Sequence, residues 1–553
     1  MSREHIFFAS ALILFLALTA WQLNLPGLHY DEAYEALPAM QLLLDQPVTS
    51  FRNNGIWVGG RLLPLMTQDY IGALNTYTAI AFLGLLGISP VSLRIMAISI
   101  GLLTLWLTFR LADELFGPLP AVVAVMLLSV NPTFVFWSRQ GVFVTSVTAA
   151  IGLAAVLMWL SWWRTGDRRY GLGGGFLLGL GLYAKFLFLW LIMALGLAVL
   201  ALNLGQWRRI KNRLTPGLVI WSLVAFLLGS APLILYNLQT GGTLDSIGSN
   251  LTVSYYGTNN LAFFANLLER IKQLVTVLNG GHLWYLGATY ANWLNPVLFV
   301  LALGVTLAFL ITNPQHETRR ALFPFLVIGG VILFSCATVS ALWVTHFAIL
   351  MPWPALAVAA ATGLLVRNSQ VGRRGAVNLA LLLAFLVPGI SWLAEIATDV
   401  CYHRALTLSG GLGAHSDAVD DLARWLVDEG RSGRPVVAMD WGIAAPVTFL
   451  TRGEVTPVEA FGYEWETDAE FVARLEPFIR DSASIYLWRA PDEIIFDRSA
   501  DFRRIYEARG LEEDILEAFY ERSGRPVLGA TGLVPEGEAV NPPRPPKQLR
   551  APQ

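Results

Sequence analysis

Long uncharged apolar runs dominate this chain and leave few folds open to it. Runs near 6–25, 91–110, 119–138, 143–163, 217–236, 294–312, 321–341, 347–366 and 376–395 each reach the roughly 20 residues needed to cross a bilayer. The apolar stretch 171–204 is too long for one ordinary span and carries Lys185 at its middle, so it reads as two short helices meeting there. The expectation is an α-helical polytopic membrane protein with about eleven transmembrane helices. Charged residues make up only 14% of the 553, against about a quarter in a soluble domain. The first run follows Arg3 and continues to Leu25 without a small-residue cleavage site, so it reads as an uncleaved span rather than a signal peptide. Cys336 falls inside an apolar run and Cys401 outside one, which argues against a disulfide between them. The net charge of -2 gives no basis for nucleic-acid binding.

Basic residues orient the spans. Arg164, Arg168 and Arg169 form one cluster, Arg208, Arg209, Lys211 and Arg213 a second, Arg319 and Arg320 a third, and Arg367, Arg373 and Arg374 a fourth. With eleven spans all four lie on the N-terminal side, which the positive-inside rule makes cytoplasmic. The uncharged stretch Tyr70 to Ser89 could also pass for a span. Counting it as one would move the basic loops to the opposite face, so it is expected to lie at the interface or to re-enter. The long loop 237–292, with Tyr255, Tyr256, Trp284 and Tyr285, then falls on the non-cytoplasmic side. Loops of that length are functional or disordered. Asn250-Leu-Thr252 in it is a glycosylation sequon, meaningful only in a eukaryotic secretory host.

From about residue 412 the pattern changes. Helical periodicity at 415–430, 468–481 and 498–509 alternates with short apolar stretches at Val436–Asp440, Ser484–Arg489 and Val527–Ala530. This predicts a small α/β domain over 412–535, outside the membrane and after a transmembrane domain of 1–411. The segment 536–553 is rich in Pro and charge and reads as a disordered tail.

Every unusual polar residue falls on one face of this arrangement. Asp31 and Glu32 stand together just past the first span, with Glu35 one helical turn on. The competing reading makes Asp31 the N-cap of a helix Glu32–Leu44. Lys185 is a cation in an apolar region, a functional candidate by default, though lysines also snorkel to interfaces. Arg139 beside Trp137 is either an interfacial anchor or a ligand for an anion, and Arg94 has the same two readings. His346, His282, Asp69 and Tyr285 are further candidates, with a structural histidine the commoner outcome for the first two. Gly175, Gly179 and Gly181 read as close helix packing. The chain lacks a phosphate-binding Gly-rich loop of the P-loop kind, a dinucleotide fingerprint and an HExxH pair.

In their order Asp31-Glu32, Gly87-Ile-Ser-Pro-Val-Ser-Leu-Arg94, Asn131-Pro with Trp-Ser-Arg139, Ala184-Lys185 and His346-Phe with Pro352 and Pro354, these residues resemble the membrane glycosyltransferases of the GT-C class. Most similar are the bacterial relatives of protein O-mannosyltransferases and lipid A aminoarabinose transferases. The resemblance covers most of 1–366. It implies transfer of a sugar from a polyprenyl-phosphate carrier to an acceptor lipid, glycan or protein, on the outer face of a membrane that would be the bacterial inner membrane. Members often carry an acid just after the arginine that corresponds to Arg139. Here Gln140-Gly-Val-Phe-Val follows, which bears on dependence on a divalent metal ion. The residues suit such chemistry on their own account. Asp31 is the best-placed base for an acceptor proton, with Glu32 orienting it or binding a metal. Arg139 and Lys185 could offset the charge of a departing phosphate, and one direct displacement would invert the sugar. Two rival readings are a transporter or flippase, for which the chain lacks two comparable halves with interrupted helices, and a membrane-anchored scaffold for the C-terminal domain.

Overall fold

A computed structural model describes residues 3–140, 146–203, 213–369, 374–428, 431, 433–461, 468–536 and 538. Most of the second basic loop, Gly141–Val144 and most of the tail lie outside these residues.

The membrane domain runs α1 (Arg3–Ala20), α2 (Tyr30–Leu43), the hairpin strands β1 (Ile56–Val58), β2 (Arg61–Leu63), β3 (Met66–Gln68) and β4 (Ile71–Gly72), then α3 (Leu74–Leu86), α4 (Pro90–Phe116), α5 (Pro118–Ser129), α6 (Pro132–Trp137), α7 (Ser146–Thr165), α8 (Arg168–Ala184) and α9 (Phe188–Leu202). It continues with α10 (Pro216–Gly229), α11 (Ala231–Thr240), α12 (Gly242–Ser249), α13 (Phe263–Asn279), α14 (Leu294–Thr312), α15 (His316–Ala321), α16 (Phe323–Phe334), α17 (Pro352–Ser369) and α18 (Arg374–Ser409). Among the described residues five helices are long and apolar enough to cross a membrane, or up to seven when two bent pairs each count as one. The other expected spans are shorter helices: Pro118–Ser129, for example, and Phe188–Leu202. Lys185 lies between α8 and α9, as its position in the sequence suggested. The Tyr70–Ser89 stretch forms a 13-residue helix, α3, only about 20 Å long at 1.5 Å per residue and thus short of a hydrocarbon core. The glycines of α8 are contact points. A β-carbon on Gly175 would stand 2.5 Å from the Ser222 carbonyl, and one on Gly179 would stand 2.0 Å from that of Phe226, so α8 and α10 meet backbone to backbone.

The C-terminal unit comprises α19 (Ala418–Asp428), β5 (Val436–Ala438), α20 (Ala444–Leu450), β6 (Val458–Glu459), α21 (Asp468–Ile479), β7 (Ile485–Arg489), α22 (Ser499–Glu507), β8 (Leu511–Tyr520) and β9 (Pro526–Pro535). The sheet order is β6-β5-β7-β9-β8. Strands β6, β5 and β7 are parallel, and β9 joins β7 and β8 antiparallel. Strand alternation decides the layers. Val436 and Ala438 pack with Leu422, Leu426 and Val447 of α19 and α20. Val437 and Met439 pack with Phe471, Leu475 and Phe502 of α21 and α22. The result is a three-layer α/β/α unit.

Two features of this fold set up the site. The strand pair β3–β4 reaches Lys185: Ile71 forms an antiparallel bridge with it, and the Phe186 N–H donates to the Tyr70 carbonyl at 2.9 Å. The turn 410–416 lies on the chain just before α2. The Gly27 N–H donates to the His415 carbonyl at 2.8 Å, and a β-carbon on Gly27 would come within 2.1 Å of the Ser416 oxygen.

Candidate active site

The segment between α1 and α2 is held by two fully buried arginines. Arg139 donates from Nε to the Thr19 carbonyl at 3.0 Å and from Nη2 to the carbonyls of Gln22, at 2.7 Å, and Trp21. The end of a helix leaves carbonyls without partners, and this guanidinium supplies them. Arg94 donates to the carbonyls of Leu23 at 2.6 Å and Pro26 at 2.7 Å, and forms an ion pair with Glu32 at 3.2 Å. The N-cap of α2 is His29, not Asp31. Its Nδ1 accepts from the Asp31 N–H at 3.2 Å, while Glu32 accepts from the His29 N–H at 3.2 Å, closing a capping box. Burial pushes the Glu32 carboxyl up, with Arg94 opposing.

Relieved of capping, Asp31 presents a side chain that is 44% exposed. Glu35, one turn further on, is buried. Its Oε1 accepts from the Thr67 hydroxyl at 2.6 Å, and its Oε2 has no hydrogen-bond partner among the described residues. Both acids act on Lys185. Burial pulls that ammonium down to about 8, against the two carboxylates. Burial pushes Glu35 up to about 7.

Lys185 opens onto a cavity of about 180 Å³ lined by Tyr70, Trp190, Asn260, Ser340 and His346, among others. Behind His346 stands Arg270, fully buried, with Nη2 at 3.4 Å from the imidazole Nδ1. Its other nitrogens donate to the Ser335 carbonyl at 3.0 Å and to Gln273 at 2.8 Å. The guanidinium also lies over the rings of Trp190 and Phe347 at 5.6 and 5.4 Å. Sequence reasoning missed Arg270. The available signal was the spacing of Asn266, Arg270 and Gln273 along one side of this helix, and all three are buried.

The structure thus sorts the sequence candidates into two groups. Asp31, Lys185 and His346 gather with Glu35 and Arg270 around the cavity and its approach. The others are engaged elsewhere. Arg139 donates to the carbonyls of Thr19, Trp21 and Gln22, and its Nη1 has no hydrogen-bond partner among the described residues. It is not among the cavity's lining residues, so the structure does not bring it into the group expected to bind substrate. Asp69 accepts from Arg52 at 2.8 Å and from the Tyr236 hydroxyl at 2.6 Å. His282 is bonded to Thr133 at 3.0 Å and packed on Trp137. The Tyr285 hydroxyl donates to Gln140, and its ring stacks on His415 at 4.1 Å. A metal at Glu32 does not fit, because both its oxygens face Arg94 and one also accepts from the His29 N–H. Among the described residues no three His, Cys, Asp or Glu side chains converge as a metal set.

Residues 74–234 match the dolichyl-phosphate-mannose-protein mannosyltransferase family. No curated protein matches the chain in sequence. In structure it is similar to ArnT from Cupriavidus metallidurans bound to undecaprenyl phosphate. That match has a TM-score of 0.60 and 13% identity, and covers 95% of this chain and 97% of the other. The apo form of the same protein gives a TM-score of 0.59. The apo oligosaccharyltransferase of Archaeoglobus fulgidus gives 0.50 at 12% identity, covering 88% of this chain and 69% of that one. The family match and the shared architecture together identify this integral membrane protein as having the GT-C glycosyltransferase fold.

Proposed function

We propose that the protein transfers a sugar from a polyprenyl-phosphate carrier to an acceptor at the outer face of the membrane, with Asp31 as the base. The observation that carries this reading is one half-exposed carboxylate, Asp31, near a cavity whose buried cation is Lys185. An acceptor hydroxyl or amine gives its proton to Asp31 as its oxygen or nitrogen bonds to the anomeric carbon. The bond from that carbon to the phosphate oxygen breaks, and the electron pair leaves on the phosphate. Lys185 faces that charge in a partly desolvated pocket, where one contact is worth on the order of a hundredfold to a thousandfold in rate. His346, backed by Arg270, and Ser340 complete the polar wall, and Trp190 offers an apolar face. The similarity to ArnT, whose structure holds undecaprenyl phosphate, supports a carrier of this chemistry. A single displacement inverts the sugar and involves no bond between sugar and protein.

Asp31→Asn tests the reading. His29 caps the helix, so the melting temperature should hold. The sugar-transfer rate should fall by roughly a hundredfold to ten-thousandfold, the usual worth of a general base. An unchanged rate with a polyprenyl-phosphate sugar as donor would remove Asp31 from the reaction.

A further inference from the structure

Asp31 and Glu35 lie one helical turn apart, and a single ammonium, Lys185, answers both. With both acids ionised the group is negative before any anion arrives. A phosphate entering at Lys185 adds negative charge at short range, where water screens little. Protonating one acid relieves the conflict. Asp31, as the base, cannot be the acid that takes the proton. Glu35 is 1% exposed, so its ionised form is the costly one. Its Oε1 accepts from Thr67, while Oε2 meets no donor at hydrogen-bond geometry, although the nearby Asn75 amide, like Thr67, favours the ionised acid.

We propose that Glu35 is the proton-linked gate of the phosphate site: carrier phosphate binds at Lys185 together with a proton on Glu35, and loss of that proton expels the phosphate product. The inference rests on the proposed function and adds to it a specificity element for anionic lipid phosphates. The groups facing Glu35 are Asp31 on its own helix, Lys185 and Tyr183 at the end of α8, Thr67 on β3 and Asn75 on α3. His346 shares the cavity with Lys185 and is the rival proton acceptor.

Calorimetric titration of the full-length protein with undecaprenyl phosphate in mixed detergent micelles tests this. Buffers of different ionisation enthalpy at pH 7 give the number of protons exchanged. Glu35 sits at about 7, so its carboxyl should add about half a proton to the uptake on binding, beyond any proton exchanged by the ligand phosphate. Glu35 should contribute about a fourfold fall in affinity from pH 6 to pH 7.5, because the acid ionises as pH rises and the anion favours the protonated form. Glu35→Gln, which mimics the protonated acid, should take up about half a proton less than wild type and lose the Glu35-dependent part of the affinity change over that range, leaving only that of the ligand phosphate. Thr67→Val removes the bond that favours ionised Glu35, so the affinity step should move to higher pH. Equal proton uptake in wild type and Glu35→Gln would assign the proton to His346, Lys185 or the ligand phosphate and overturn the proposal. An unmoved step in Thr67→Val would do the same. Failure of wild type to bind undecaprenyl phosphate at all would instead overturn the lipid-carrier reading, and the gate with it.

Discussion

Arg94 and Arg139 looked alike in the sequence, each a cation near a span end and each a plausible ligand for a phosphate. Both instead serve the backbone between α1 and α2. Helix α1 ends at Ala20 and the chain turns through 21–29 before α2 begins, so a run of carbonyls needs donors, and two guanidiniums provide them. No sequence pattern announces which carbonyls a distant arginine will meet. Arg94 also neutralises Glu32 where both side chains are almost wholly buried. Arg94→Leu would strand that carboxylate, a loss on the order of 3–5 kcal/mol for a broken buried pair. The expected result is a sharply lower denaturation midpoint in detergent. A loss within the range of an ordinary surface substitution would show that Glu32 does not depend on Arg94. Asp31 and Lys185 were legible because an acid or a cation beside apolar sequence is conspicuous. Glu35 drew attention only as a neighbour, since burial and hydrogen bonding are properties of the folded state.

Among the elements, α2 packs against both α3 of the membrane domain and α20 of the C-terminal unit. Its N-cap His29 stacks on His415 at 4.2 Å, and His415 stacks in turn on Tyr285 at 4.1 Å. Tyr30 packs on Trp441 at 4.4 Å, just past the end of β5. The carboxyl ends of β5 and β7 are where open α/β sheets usually seat a ligand, because the strand order reverses there. Here the start of α2 occupies that place, and the buried pair Arg489–Asp440 lies beside it. The C-terminal unit therefore aims the helix that carries Asp31. His415→Phe, which keeps a flat ring between His29 and Tyr285, should retain most of the turnover. His415→Ala should lower kcat by roughly tenfold with donor KM little changed, as expected when a reacting group loses alignment. Equal turnover in both variants would sever this link. The sequence showed that an α/β unit exists, through its alternating periods. It could not show where the unit docks, because the contact is made by ring faces and by Gly27, whose missing β-carbon is what admits the Ser416 carbonyl.

At the scale of the molecule, charge bias and packing give a coherent orientation. The clusters at 164–169 and 319–320 lie at the ends of α7 and α15, while α2, the cavity and the C-terminal unit gather together. Cysteines placed at Arg168 and at the exposed Ser523 should label from opposite sides of sealed vesicles. Labelling from one side would reverse the proposed orientation of the site. The eleven expected crossings were harder to read, because hydropathy measures composition whereas helix ends are set by turns, bends and prolines inside continuous apolar sequence. One element departs from the usual arrangement altogether. Helix α13 turns Phe264, Leu268 and Ile271 outward, at 82%, 55% and 45% exposure, and keeps Asn266, Arg270 and Gln273 inside. Its first half is inside out, with that greasy side held by what surrounds the protein, while Leu274, Val277 and Leu278 further on are buried in the core. Purification thus enters the protein's chemistry. A detergent that strips the annular lipid removes the support for Arg270, and so for His346, while the water-facing sheet keeps its own core. A preparation can then look folded by every probe of the C-terminal unit and still have lost the shape of the cavity at Lys185, and returning lipid rather than refolding the chain is what would restore it.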